Sequence, residues 1–265
     1  MTKIAKLDNY SVLEVSGSDA ESFLQGQISQ DLKTVELNSA KWFGISNAKG
    51  RLLAVGQAYR VEPDSFWLVL PNEIAKTLPD YLLRYKFRSK VEFKLCDELM
   101  VYGLWNGQSE DYPHQFQLHE SSPCNIIISD QSLETNASED EWTQQKILTG
   151  LPDVFTATQE SFVAQMLNLD LIDGISFSKG CYTGQEIIAR MQHLGRIKRR
   201  MLAFELNHPL TIGDKWMIED KSVGQVVNIV KSEDKFLALI CVQLDKLVQN
   251  NISPTPLNFK YDLTN

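Results

Sequence analysis

Residues Lys179–Glu186 read KGCYTGQE and run on through Ile187–Arg200 as IIARMQHLGRIKRR. Two glycines bracket one cysteine, which gives the backbone a freedom that other residues lack. Thr183 and Glu186 stand at capping-box spacing, which predicts a helix from Gly184 to about His193 with Gly195 as its stop. Cys181 then lies two residues before the N-cap, where exposed N–H groups and the helix's partial positive charge favour an anion. Lys179 adds positive charge nearby. Both effects favour a thiolate, which makes Cys181 and Lys179 the candidate catalytic pair. Gly180, Tyr182, Thr183, Gly184, Gln185 and Glu186 form the frame around them. The plainer reading of such a cysteine is an inert thiol in a tight strand-to-helix turn. The convergence of glycines, lysine and cap outweighs that reading at Cys181. Cys96, Cys124 and Cys241 keep it, Cys241 as a core residue of an apolar strand. Glu186 is read as a cap before a general base, and His193 as a last-turn residue suited to the helix dipole.

Upstream, Ser11–Val15 alternates like a strand, and Ser18 with Glu21 suggests a capping box opening a helix through Phe23 and Leu24. Trp42–Ser46 and the apolar run from Leu52 to Tyr59 read as strands joined by a turn at Asn47–Gly50, and Phe66–Leu70 as another strand. Asn72 can cap a helix that Pro79 continues through Tyr85. Residues 106–125 and 129–140 are polar and read as loops. Ser138 with Glu141 forms a further capping box, and Gly150–Leu151–Pro152 stops the helix that carries Trp142. After Arg200, strand-like runs at Met201–Leu206, Lys215–Glu219, Gly224–Val230, Phe236–Val242 and Leu257–Leu263 suggest a small antiparallel β-barrel. The boundary falls near residues 197–201, which divides the chain into 1–198 and 199–265.

With 265 residues the chain is long enough for two such units. No apolar run approaches the roughly 20 residues that cross a bilayer. The N-terminal MTKIAKLDNYSVLEV lacks a continuous apolar stretch, so a reducing cytoplasmic setting is expected, without disulfides and with no membrane partner. The net charge of −8 works against long-range attraction to nucleic acid. Arg196, Lys198, Arg199 and Arg200 form a basic run, read as a solvated face, with direct tRNA contact as the minority reading. The four cysteines are scattered, without CxxC spacing, so no metal site is expected. Tyr10 and Trp142 open elements, and core packing explains both, although a flat ligand such as a pterin also prefers an aromatic wall.

KGCYTGQE and its continuation closely resemble the signature of the YgfZ family, folate-binding proteins related to the T-protein (aminomethyltransferase) of the glycine cleavage system. FLQGQISQDL (Phe23–Leu32), NAKGR (Asn47–Arg51), LLRYKFRSKV (Leu82–Val91) and GLPD followed by AQMLNLDLIDGISFSKG match as well. The resemblance implies an α+β fold: a T-protein-like folate-binding body with a ferredoxin-like layer at about 42–130, plus the C-terminal barrel. It implies a tetrahydrofolate or related reduced folate, held by aromatic residues that correspond to Tyr10 and Trp142. Position 10 departs from the tryptophan of the family. The resemblance further implies work in iron–sulfur cluster assembly or repair, and thereby tRNA modification, with Cys181 as the motif cysteine. Partners would be folate and iron–sulfur or tRNA-modifying enzymes. A folate-dependent one-carbon (aminomethyl) transferase is the alternative, and a direct tRNA-binding module the second. A glycine cleavage enzyme of this fold needs an acid just beyond its Asn-x-x-Gly turn, and here Arg51, Leu52, Leu53, Ala54 and Val55 follow.

Overall fold

The computed structural model describes residues 1–107, 112–249 and 257–259. Among them the strands form three antiparallel sheets. After β1 (Lys3–Lys6) the first sheet is built from β2 (Tyr10–Ser16), β3 (Ala40–Ser46), β4 (Leu52–Glu62), β5 (Ser65–Pro71) and β6 (Glu92–Leu95). Helix α1 (Ala20–Gln25) follows β2, and α2 (Asn72–Lys86) joins β5 to β6. The strand order β3-β4-β5-β2-β6 sets the first strand of this sheet between β5 and the last, so both crossovers lie over one core. That core joins Leu13, Val15, Phe66 and Leu68 of the strands to Ile74, Leu78 and Leu82 of α2. Burying each such side chain stabilises by about 1.5–3 kcal/mol.

Local signals explain part of this and fail in two places. The helix at Ala20 has Asp19 rather than Ser18 as its N-cap, with no side-chain cap: the Asp19 carboxylate accepts from Lys90 N at 2.7 Å, and Glu21 pairs with Arg60 at 2.9 Å. Asn72 does not cap α2, since its side chain accepts from Ser11 Oγ at 2.5 Å and donates to the Asp8 carbonyl at 2.6 Å. The helix does continue past Pro79, through Tyr85 to Lys86; the missing N–H leaves one rung unmade while the buried Leu78 and Leu82 around it hold the helix.

The second sheet orders β1, β7 (Met100–Trp105), β9 (Asn125–Ser129) and β8 (Gln115–Gln117) as β1-β7-β9-β8. Residues 42–130 therefore contribute strands to two sheets. The expected loop at 106–125 contains the short β8, and its residues 108–111 lie outside the described part. Helix α3 (Glu139–Thr149) begins with the predicted box: Ser138 Oγ accepts from Glu141 N and the Glu141 carboxylate accepts from Ser138 N. Gly150 closes it at φ 71°.

After α4 (Gln185–Leu194) come β10 (Arg199–Leu206), β11 (Lys215–Ile218), β12 (Lys221–Ser232), β13 (Lys235–Gln243) and α5 (Leu244–Gln249). The order is β10-β13-β12-β11, and the edge strands β10 and β11 do not pair. The expected barrel is thus an open sheet among the described residues. Of the fifth expected strand, Leu257 bridges Ala203, and residues 260–263 lie outside the described part. Helix α3 packs against both the second and the third sheet and so joins the two.

Candidate functional site

Three of the sequence stretches singled out above meet at the KGCYTGQE loop. Lys179 is buried, and its ammonium donates to the carbonyls of Gln25, Ile28 and Gln30 at 2.8, 2.9 and 2.7 Å. All three of its protons are committed to the backbone of the FLQGQISQDL segment, and burial lowers its pKa to about 8 against the opposing pull of Asp31. Lys179 therefore anchors the loop, rather than presenting a free charge. Thr183 N donates to the Gly26 carbonyl at 3.1 Å, a second tie to the same segment. Gly184 caps α4 at φ 83° without a side-chain cap. The predicted Thr183–Glu186 box does not form, because Thr183 is turned toward Gly26 and Gln27. A Cβ on Gly184 would meet the Asn47 carbonyl at 2.7 Å and Gly50 Cα at 3.1 Å, so the NAKGR turn packs directly on the motif. The outcome is one exposed thiol: Cys181 is open to solvent, while Cys96, Cys124 and Cys241 are buried. Gly180 and Glu186 are exposed with it, Gln185 is half-buried, and Tyr182 is buried with its ring 5.0 Å from the Lys179 ammonium.

Tyr10 stands elsewhere, on a cavity of roughly 750 Å³ between the first sheet, α3 and the C-terminal sheet. Its walls include Asn72 and Glu73 at the start of α2, Glu139, Asp140 and Thr143 of α3, Phe155, and Ile229 of β12. The Tyr10 hydroxyl donates to Asp153 Oδ2 at 2.8 Å and accepts from Lys146 Nζ at 3.0 Å. Lys146 also contacts both Asp153 oxygens at 2.7 Å, and both side chains are buried. Burial, reinforced by Asp153, holds the Tyr10 phenol well above its ordinary range, so it stays a neutral donor. Burial likewise raises Glu139, whose carboxylate accepts from Asn9 N and Nδ2 at 3.1 Å.

Trp142, the other expected aromatic contact, is not among the residues lining this cavity. It is fully buried, 5.8 Å from the Trp105 ring, and its six-membered ring covers Gly103, where a Cβ would come within 2.4 Å. Its core role is visible in the packing. Cys181 does not line the cavity either, so the aromatic and the cysteine mark two places. Sequence reasoning missed Lys146 and Asp153. The available signal was a lysine one helical turn after Trp142, on the face α3 buries. In the basic run Arg200 is no part of a solvated face: it is buried, and its guanidinium forks onto Asp170 at 2.6 and 2.8 Å. Arg196, Lys198 and Arg199 are exposed. No helix among the described residues is long and apolar enough to cross a membrane.

The chain is similar to an uncharacterized protein of Haemophilus influenzae, 32% identical over 209 residues that cover 78% of this chain and 74% of the relative. It is similar to the tRNA-modifying protein YgfZ of Colwellia psychrerythraea, 27% identical over 84% of this chain and 78% of that protein. YgfZ of Vibrio atlanticus is 24% identical over 94% and 87%. No family model matches the chain. Among solved structures, the glycine cleavage system aminomethyltransferase T of Bartonella henselae superposes with a TM-score of 0.62 at 12% identity, covering 92% of this chain and 79% of that one. The mixed helix-and-sheet fold is therefore that of the T-protein.

Proposed function

The chain belongs to the YgfZ family, and from that premise we propose that it is a cytoplasmic folate-binding accessory protein that supports iron–sulfur cluster assembly or repair, and thereby tRNA modification, through Cys181. The observation that carries the folate half is the cavity at Tyr10. A reduced folate needs a flat aromatic surface, apolar walls and acceptors for the N–H groups of its pterin ring. Tyr10, Phe155 and Ile229 offer the first two, and Glu139 and Asp140 offer acceptors. The Tyr10 ring is held by Asp153 and Lys146, so its position is fixed before a ligand arrives. When bound, the folate would supply one-carbon carrier chemistry, and this chain's side chains would hold and orient the ring.

The cysteine half rests on exposure and anchoring: the loop is tied down on both sides, and its thiol is left open. Titrating the protein with 5-formyltetrahydrofolate in a calorimeter should give saturable one-to-one binding, weakened at least tenfold by Tyr10→Ala and unchanged by Cys181→Ala. Absence of saturable binding sinks the folate half. In a strain lacking a family member, Cys181→Ala should fail to restore the activity of cluster-dependent tRNA-modifying enzymes; full restoration removes the cysteine from the mechanism.

A second reading, a folate-dependent one-carbon transferase, has one observation in its favour. The turn at Asn47–Gly50 carries no acid beyond it, but Glu139 lines the cavity and burial raises its pKa, so a carboxyl group stands where an acid or base would be needed. That reading requires consumption of methylenetetrahydrofolate in the presence of an amine acceptor, and no consumption across a panel of amines rejects it.

A further inference from the structure

A second recess, of roughly 460 Å³, opens on the third sheet, away from both the motif loop and the Tyr10 cavity. Strand register builds it. Lys215 of β11 lies opposite Gln225 of β12, Gln225 opposite Cys241 of β13, and Arg199 of β10 opposite Gln243 of β13. Residues in such a row share one face of a sheet. Lys221 enters at the start of β12, and Lys246 comes over from α5, with its ammonium donating to the Ser222 carbonyl at 2.7 Å. The floor is buried Cys241 and Phe162. Burial pushes the Cys241 thiol up to about 12, so the floor carries no negative charge.

The charge balance of this recess is opposite to that of the chain. The protein carries a net charge of −8, yet four cations from four elements line the recess, and among the described residues no Asp or Glu does. Among the described residues Arg199, Lys215 and Lys221 form no ion pair. Like charges gathered in a concave site repel one another and focus a positive potential, which a bound anion relieves. The side chains of Gln243 and Ser222 add neutral donors at the same surface, while the Gln225 amide is held by the Gly213 carbonyl at 3.1 Å. We propose that this recess is a binding site for a small multivalent anion, one whose phosphate or carboxylate oxygens are clustered within a few ångströms. A polynucleotide fits the observations less well: the volume of the recess suits one small molecule, Arg200 is turned inward onto Asp170, and the net charge repels a long polyanion. The proposal stands independently of folate binding at Tyr10.

The test is calorimetric titration of the full chain, at low salt and again near physiological salt, with two probes: inorganic tripolyphosphate and a free tetra-γ-glutamate peptide. Saturable one-to-one binding of tripolyphosphate alone assigns a phosphorylated ligand, binding of the peptide alone assigns a polycarboxylate tail, and binding of both shows that the recess reads charge. In each case Lys215→Gln with Lys221→Gln should weaken binding at least tenfold, whereas Tyr10→Ala should leave it unchanged. The control pair Lys76→Gln with Lys90→Gln removes the same charge from elsewhere on the surface. An equal loss in the control, or no saturable binding of either probe, overturns the proposal. So does a tRNA that binds tightly and loses affinity with the Lys215 and Lys221 substitutions while neither small probe binds.

Discussion

Asp153→Ala is the sharpest perturbation of the Tyr10 cavity. The Asp153 carboxylate accepts two bonds from Lys146 at 2.7 Å and one from the Tyr10 hydroxyl at 2.8 Å, all within a buried cluster. Removing it strands the Lys146 ammonium without a counter-charge and leaves the phenol without its acceptor. Breaking a buried pair by deleting one partner costs roughly 3–5 kcal/mol. With a urea m-value of about 3 kcal/mol/M for a chain of this size, the unfolding midpoint should fall by roughly 1–1.7 M. The double substitution Lys146→Met with Asp153→Leu replaces the pair by apolar groups of similar volume. It should recover all but about 1 kcal/mol of that loss, because the desolvation penalty leaves together with the attraction. The same double variant frees the Tyr10 ring and should still weaken folate binding. Urea unfolding followed by tryptophan fluorescence reads both variants. A midpoint shift below about 0.3 M for Asp153→Ala, or a double variant as unstable as the single one, would refute the claim that this pair is a closed, desolvated unit.

Three further outcomes follow from the motif loop. An aromatic disulfide reagent should titrate one thiol per native chain quickly and the other three only in denaturant, with Cys181→Ala abolishing the fast phase; two fast thiols would contradict the burial of Cys96, Cys124 and Cys241. Gly184→Ala puts a Cβ at φ 83° against the Asn47 carbonyl, costing about 2 kcal/mol or more. It should lower Tm by at least about 4 °C, and an unchanged Tm argues against the packing of the turn on the motif. Lys179 titrates near 8 in the folded chain and near 10.5 when unfolded, so between those values the unfolded state binds more protons and stability rises with pH. Comparing urea midpoints at pH 7.5 and 9.5 should show this rise in the wild type and its absence in Lys179→Met; parallel behaviour rejects it.

What the sequence made legible was local. The α3 cap, its glycine stop and the extent of α4 each depend on residues within a few positions of one another, and each formed. The failures share the opposite character. Ser18, Asn72 and Thr183 all carry sound capping chemistry, but distant partners took the side chains or supplied the geometry instead: Arg60 for Glu21, Ser11 for Asn72, the Gly26 carbonyl for Thr183. Barrel closure depends on whether the first and last strands of a set meet, and no alternation pattern encodes that. Tyr10 and Trp142 looked alike as aromatics at the start of elements. Only packing separates them, since Trp142 covers the Gly103 backbone and Tyr10 faces a cavity.

The motif itself is better understood by asking what each of its polar groups has left to offer. Lys179 gives every proton to main-chain carbonyls, Thr183 ties its N–H to Gly26, and Gly184 is spent on the close approach to Asn47 and Gly50. Tyr182 is buried beneath them. Apart from Glu186 on the opening turn of α4, the side chain this segment leaves to solvent is that of Cys181. On the proposed role of Cys181, the eight residues serve to place one thiol, and the stretches 23–32 and 47–51 belong with them because they are what the loop is fastened to. Loss of Lys179 or Gly184 should accordingly resemble loss of Cys181 in function while leaving the thiol chemically present. An exposed thiol held in the wrong place is a different defect from a missing one, and the thiol titration above tells them apart.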